Sequence, residues 1–286
     1  MEIKQRRIAV VGATGLVGQM IIKILQEENV RAEFVYFNSK NLTKAAVMRF
    51  KPHFALFAVS AQLAREWVPY FVSKNCIVID NSSAYRRDDD VPLIIPECNG
   101  GGITLDAKII SNPNCSTIGA LVALKPLDDA YRIRRIVYTT FQAISGAGAN
   151  PIFAHLIENN IIPYIHGEED KMEYETQKIL GRDVAVTATC VRIPIANCHS
   201  IAINVEFENP VDLVQANAIL ASAPGLILVD SYPMPIMANG RNEVFVGRVR
   251  IDRSRPNALN LFTVSDNVRK GAAVNAVQIL KCLMSL

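Results

Sequence analysis

Residues 8–18 read Ile-Ala-Val-Val-Gly-Ala-Thr-Gly-Leu-Val-Gly, a short apolar run that stops at a glycine-punctuated turn. From there to about Glu28, apolar residues recur at helical spacing. A strand, a glycine turn and a helix in succession set a pyrophosphate on the free N–H groups of a helix N-terminus. Gly12, Thr14, Gly15, Leu16, Val17 and Gly18 make up that turn and the helix entry. The spacing is Gly-x-x-Gly-x-x-Gly rather than the commoner Gly-x-Gly-x-x-Gly. The basic stretch Met1–Arg7 ahead of the run resembles the start of a signal peptide. The run ends too soon and has no small-residue cleavage site, so it reads as a first strand.

The chain outward from this unit repeats the pattern. Glu33–Phe37 reads as a second strand, and its end is where an NAD-binding fold places an acid for the ribose hydroxyl. Here the end reads Asn38-Ser39-Lys40, with no carboxylate between Phe34 and Arg65. Ser39 and Lys40 suit a 2′-phosphate instead, which points to NADP. Further strands are expected at Phe54–Val59 and Cys76–Asp80, around a helical pattern at Gln62–Ser73. Strands alternating with helices predict a Rossmann-like, doubly wound parallel sheet. Arg86 and Arg87 lie beyond the Cys76–Asp80 strand, where open α/β sheets bind ligands. The following Asp88-Asp89-Asp90 reads as a solvated loop.

At residues 111–119 the chain reads Ser-Asn-Pro-Asn-Cys-Ser-Thr-Ile-Gly, between a short strand at 107–110 and the strong helix formers of 120–127. This sets Cys115 at the mouth of a helix, with Ser116 and Thr117 as possible caps. Free N–H groups and the positive dipole end favour a thiolate there and could hold an oxyanion. Cys115 is the candidate nucleophile.

Beyond it the pattern changes. Arg135–Phe141, Val184–Val191, Ser200–Phe207, Val244–Ile251 and Asn260–Val264 read as strands, with a charged helix at Glu168–Leu180. Strands in succession predict a second, α+β domain with a mixed or antiparallel sheet. The final helix, about Val268–Met284, is expected to return to the first domain. The expected division is therefore 1–116 with 266–286 for the nucleotide, and 117–265 for catalysis and dimerisation. Within the charged helix, Glu175 and Lys178 share a face and by themselves read as a surface ion pair. His53, His155 and His166 lie in ordinary settings. His199 stands at a strand entrance, and a cysteine nucleophile needs a partner that titrates near neutrality.

The chain has 286 residues, half of them hydrophobic, and a net charge of +3 with its cations scattered. That is an ordinary globular composition and argues against nucleic acid as a partner. No apolar run approaches the length of a membrane span. The six cysteines form no Cys-x-x-Cys pair and no histidine pair has zinc spacing, so no metal is expected. Reduced cysteines in a cytoplasm are the simplest reading.

Taken together, the stretches resemble the aspartate-semialdehyde dehydrogenase family. The matches are GATGLVG, DNSSAYR with VPLIIPE, SNPNCSTIG with ALKPL, FQAISGAG, KMEYETQKIL, VRIPIANCHS, YPMPIMANG with VFVGRVRID, and SDNVRKGAAVNAVQIL. They run in the family's order along nearly the whole chain. The resemblance implies a reversible, NADP-dependent, phosphate-linked interconversion of L-4-aspartyl phosphate and L-aspartate 4-semialdehyde. It implies Cys115 as nucleophile, His199 as acid/base and Gln142 as the residue orienting the acyl group. Arg86, Asn114 and Lys178 would meet phosphate, and Glu175 and Arg192 the substrate ammonium and carboxylate. Ser145, Gly146 and Asn267 match cofactor contacts, and a homodimer through the second sheet is implied as well.

The chain also departs from that family. It is shorter, with gaps placed between Ser39 and Phe54 and between Gly148 and Glu168. Ala58-Val59-Ser60-Ala61 stands where the family has Ser-Ala-Gly-Gly, and the lost glycines would crowd the backbone near a cofactor. Two other readings are a related reductase of N-acetylglutamyl phosphate and a non-catalytic scaffold relative. The former usually carries Pro-Gly-Cys-Tyr-Pro, against which Asn114 and Ser116-Thr117 speak. Intact Cys115, Gln142, Arg192 and His199 speak against the latter.

Overall fold

The computed structural model describes residues 6–147 and 157–286. His155 and Gly148 lie outside the described residues. The chain forms two compact units, one of residues 1–113 with 272–286 and one of residues 114–271.

The first unit is built on β1 (Arg7–Val11), β2 (Glu33–Phe37), β3 (Phe54–Phe57), β4 (Ile77–Asp80) and β5 (Ile109–Ser111). They pair in the order β2-β1-β3-β4-β5, every neighbour parallel. Around them stand α1 (Leu16–Glu27), α2 (Lys44–Phe50), α3 (Ala61–Val72), the single turn α4 (Pro96–Asn99) and, from the chain's end, α9 (Asn275–Ser285). Side chains alternate across a strand, so each strand feeds two cores. Ile8 and Val10 join Ile21, Ile24 and Leu25 of α1 and Val277 and Leu280 of α9. Ala9 and Val11 join Val47 of α2 and Val68 and Phe71 of α3 on the opposite face. Burial on both faces explains why these strands are continuous apolar runs.

The second unit holds α5 (Cys115–Tyr131), β6 (Ile133–Gln142), α6 (Glu168–Leu180), β7 (Ala185–Arg192), β8 (His199–Phe207), α7 (Leu213–Ser222), β9 (Leu226–Leu228), α8 (Pro235–Ala238), β10 (Val244–Ile251) and β11 (Ala258–Ser265). Its sheet runs β7-β6-β8-β11-β10-β9, with the two outer pairs parallel and the rest antiparallel. The expected mixed sheet is present. Helix α5 is buried almost all round, from Ser116 through Leu124, as expected of a helix packed between a sheet and other helices.

Two local expectations are corrected. Helix α5, which begins at Cys115, is capped by Asn114, not by Ser116 or Thr117, whose backbone N–H groups donate to Asn114 Oδ1 at 2.9 and 3.4 Å. The final helix is not uniform: residues Arg269–Val274 form a π-helical segment before α9 begins.

Candidate active site

Three strand ends set the site. In the parallel β6–β7 pair, Gln142 lies opposite Arg192. In the antiparallel β6–β8 pair, Phe141 lies opposite Ser200, which brings His199 beside the same end. Gln142 is distant in sequence from Arg192 and His199, and all three are buried.

His199 Nδ1 accepts the Ala143 N–H at 3.1 Å, so the neutral ring carries its proton on Nε2. Nε2 is buried with no hydrogen-bond partner among the described residues. Burial, then the charge of Arg192, pushes the imidazole down to about 3, against the pull of Glu168 and the Cys198 backbone. His199 is therefore a neutral Nε2–H donor near physiological pH. Arg192 Nη1 donates to the Ala143 carbonyl at 2.6 Å. Burial lowers this guanidinium from its ordinary value, while Cys115, Glu168 and Cys190 act the other way. Gly146 lies against both groups: a Cβ there would stand 2.9 Å from Arg192 Nη1 and from His199 Nε2. Only glycine fits this approach without displacing both groups.

Cys115 is the first residue of α5 and half-buried. The residue before it is held by two carboxylates of α6. Asn114 N–H donates to Glu175 Oε2 at 2.6 Å, and Asn114 Nδ2 to Glu168 Oε2 at 2.8 Å. Gln142 Nε2 also donates to Glu168 Oε2, at 3.4 Å, and to Thr140 Oγ1 at 3.3 Å.

The nucleotide-type turn lies in the first unit, after β1. Gly12 has φ +89°, and a Cβ on it would collide with the Ala58 carbonyl, as one on Gly18 would with the Gly12 carbonyl. Gly12 and Ala13 N–H groups both donate to the Phe37 carbonyl at 2.9 Å. The turn therefore lies at the carboxyl ends of the strands, where β1 separates β2 from β3 and the sheet order reverses. Helix α1 has no side-chain cap, and Thr14, Gly15 and Leu16 at its entry are exposed. Uncapped N–H groups above a glycine cradle fit a pyrophosphate. Ala58 to Ala61 all have negative φ, and Ser60 caps α3, so this turn does not require the family's glycines.

Family models for the semialdehyde dehydrogenase NAD binding domain and dimerisation domain match residues 7–105 and 124–270. The aspartate-semialdehyde dehydrogenase of Aquifex aeolicus is 41% identical, covering 97% of this chain and 98% of its own. The chain belongs to the aspartate-semialdehyde dehydrogenase family. The Aquifex alignment is 332 residues long against the 286 of this chain, so that relative carries segments missing here. Among solved structures, aspartate semialdehyde dehydrogenase II from Vibrio cholerae superposes with a TM-score of 0.91 at 36% identity, covering 99% of each chain. The same Vibrio enzyme is known in complex with ASA. A Candida albicans member solved with NADP gives a TM-score of 0.80 at 25% identity, covering 98% of this chain and all of its own.

As a family member, the chain has its expected residues distributed between its units. Cys115, Asn114, Gln142, Glu175, Arg192 and His199 belong to the second unit, with Lys178 half-buried on α6, its ammonium 6.0 Å from the Tyr174 ring centroid. Ser145 and Asn267 are bonded to each other, Asn267 Nδ2 donating to Ser145 Oγ at 3.0 Å. Gly12, Thr14, Gly15, Leu16, Val17, Gly18, Ser39, Lys40 and Arg86 belong to the first unit. There Ser39 and Lys40 are exposed at the end of β2, and Arg86 Nη2 donates to the Asn81 carbonyl at 2.8 Å. Sequence reasoning missed Glu168, whose place among three acids opening α6 reads as a simple complement to the helix dipole. It also missed Gly271, where a Cβ would stand 2.8 Å from the Cys115 Cβ.

Proposed function

We propose that this chain catalyses the reversible, NADP-dependent reductive dephosphorylation of L-4-aspartyl phosphate to L-aspartate 4-semialdehyde, through a thioester on Cys115. The observation that carries this is Cys115 at the first position of α5, half-buried and in one unit with the buried Gln142, Arg192 and His199. The ASA complex of the Vibrio relative names the same substrate class.

The Cys115 thiolate attacks the acyl carbon and phosphate departs, carrying the one proton that the reaction takes up. Helix N–H groups favour the thiolate, and the nearby Arg192 charge acts the same way. Where the family resemblance implies an acid/base, the neutral His199 serves as a donor instead: its Nε2–H, fixed by the Ala143 hydrogen bond, holds the carbonyl oxygen. The nicotinamide, when bound, supplies the hydride that reduces the thioester. Collapse of the resulting thiohemiacetal anion expels the thiolate and releases the aldehyde without a net proton. Gln142 orients the acyl group, Arg192 takes the α-carboxylate by its planar fork, and Glu175 faces the ammonium. Arg86, Asn114 and Lys178 take the phosphate.

The first unit takes the nucleotide on its glycine turn, with Ser39 and Lys40 on the 2′-phosphate and Ser145, Gly146 and Asn267 toward the nicotinamide end. The unit of residues 1–113 with 272–286 takes the nucleotide role expected of 1–116 with 266–286, and the unit of residues 114–271 the catalytic and dimerisation role expected of 117–265. We assign a homodimer through the second sheet. One face of that sheet bears the half-exposed Val137, Thr139, Phe141, Ala202 and Phe262, which supports this reading. None of the cysteines forms a disulfide, in keeping with a cytoplasmic location.

The deciding assay is phosphate-dependent NADP reduction with aspartate semialdehyde against N-acetylglutamate semialdehyde. Activity with the former, lost on alkylation of Cys115, is expected. Preference for the latter, or full activity after Cys115 is alkylated, overturns the proposal.

A further inference from the structure

We propose that Glu168 is a positioning residue for this reaction, an ionised carboxylate that fixes the amide orientation of both Asn114 and Gln142. This rests on the function proposed above. Glu168 is buried at the start of α6, and among the described residues its carboxylate meets three side-chain donors. Oε2 accepts Asn114 Nδ2 at 2.8 Å and Gln142 Nε2 at 3.4 Å, and Oε1 accepts Lys171 Nζ at 2.7 Å.

An ionised carboxylate only accepts, whereas a primary amide offers a donor end and an acceptor end. Each amide must therefore turn its NH2 toward Glu168. For Asn114 this leaves Oδ1 on the Ser116 and Thr117 N–H groups, which holds the first turn of α5 under Cys115. For Gln142, Thr140 and Glu168 fix Nε2, so that the amide is set before substrate arrives. A protonated or amide side chain at 168 would offer a donor, and the Gln142 amide could then reverse, whereas Asn114 is held a second time through Oδ1.

Burial alone pushes the Glu168 carboxyl up, but the Lys171 ammonium and the hydrogen bonds from Lys171, Asn114 and Gln142 outweigh it and hold the group below the usual range. The other charged or titratable groups that bear on the cluster are Glu175 on α6, Cys115 on α5, Cys190 and Arg192 on β7, and His199 on β8. Among the described residues that donate to this carboxylate, Lys171 alone reaches solvent, with its side chain 32% exposed, so it can be removed without opening the core.

The test compares Glu168→Gln, Gln142→Ala, their double variant and Lys171→Met in the full-length enzyme. Glu168→Gln is expected to lower kcat tenfold or more while the KM values for semialdehyde and phosphate stay within threefold. In the Gln142→Ala background the same change should cost less than threefold, because Asn114 stays oriented by the Ser116 and Thr117 N–H groups and the other amide is gone. Lys171→Met leaves burial dominant, raises the carboxyl's pKa, and should lose kcat more steeply than wild type between pH 8 and pH 5.5. Wild-type kcat in Glu168→Gln, losses that multiply in the double variant, or a Lys171→Met profile parallel to wild type each overturn the inference. Loss of kcat in Gln142→Ala alone would then leave the proposed function standing. Thermal unfolding of each variant shows whether a loss of kcat comes from a loss of fold, and the Lys171→Met pH profile decides the question if Glu168→Gln fails to fold.

Discussion

The Asn114 backbone N–H donates to Glu175 Oε2 across 2.6 Å, tying the residue before the nucleophile to a buried carboxylate two turns into α6. One side chain thus has two assignments: support for the α5 entry and recognition of the substrate ammonium. The two separate chemically. Glu175→Gln keeps an acceptor for the Asn114 N–H but loses the charge. It should raise the KM for aspartate semialdehyde by roughly tenfold or more, from a charged contact worth about 1.5–3 kcal/mol, with kcat changed little. Glu175→Ala loses both and should lower kcat as well. Steady-state kinetics on the pair checks this, and equal KM values in Glu175→Gln and wild type would remove the ammonium assignment.

The first unit was legible because its signals are local. Ile8–Val11, the Gly12 turn and the following helix lie within one stretch, and burial on both faces makes each strand an unbroken apolar run. The site is less so. Asn114 rather than Ser116 caps α5 because Pro113 precedes it and its extended backbone lets Oδ1 reach back to two N–H groups. Composition does not distinguish these three cap formers. Glu168 is invisible in sequence because its partners are 54 and 26 residues away, joined only by the packing of α6 on the sheet. The π-helical segment at Arg269–Val274 has the same apolar spacing as a helix and was read as one. Helix α2 was missed altogether, being one short amphipathic stretch capped by Thr43.

The cofactor preference follows from the end of β2. Ser39 and Lys40 are exposed there, with the Lys40 N–H turned in to Asn38 Oδ1 at 2.9 Å so that the side chain projects from a fixed turn. NADPH should be preferred over NADH by about ten- to a hundredfold in kcat/KM, the worth of one charge-assisted contact. Lys40→Ala should remove most of that preference and leave the NADH value unchanged. Equal kcat/KM with both cofactors in wild type would sink the assignment.

Arg192 and Lys178 separate the two ends of the substrate. Arg192 is buried at the end of β7, whereas Lys178 is half-buried on α6. Arg192→Ala should weaken the semialdehyde by roughly 2–4 kcal/mol and spare the KM for phosphate. Lys178→Ala should mainly raise the phosphate KM. The crossed pattern, with each variant affecting the other ligand, would mean that the substrate lies the other way round. A loss confined to kcat in both would place these residues in the chemistry instead.

The buried His199 also makes a prediction about pH and stability. Its folded pKa, about 3, lies below the unfolded value near 6.5. The unfolded chain therefore binds a proton that the folded one refuses once the pH drops below about 6.5. The contribution of the neutral imidazole is complete above that pH and is lost as the pH falls toward 3, at about 1.4 kcal/mol per unit. Between pH 7.5 and pH 5.0 this predicts a loss of roughly 2 kcal/mol attributable to His199. His199→Asn can keep an acceptor for the Ala143 N–H but has nothing to protonate, so its stability should fall less over the same range by about that amount. Urea unfolding of both proteins at the two pH values gives the difference, in which the other titrating groups cancel. An equally steep fall in the variant would show that His199 is not held neutral, and that the donor role given to its Nε2–H is wrong.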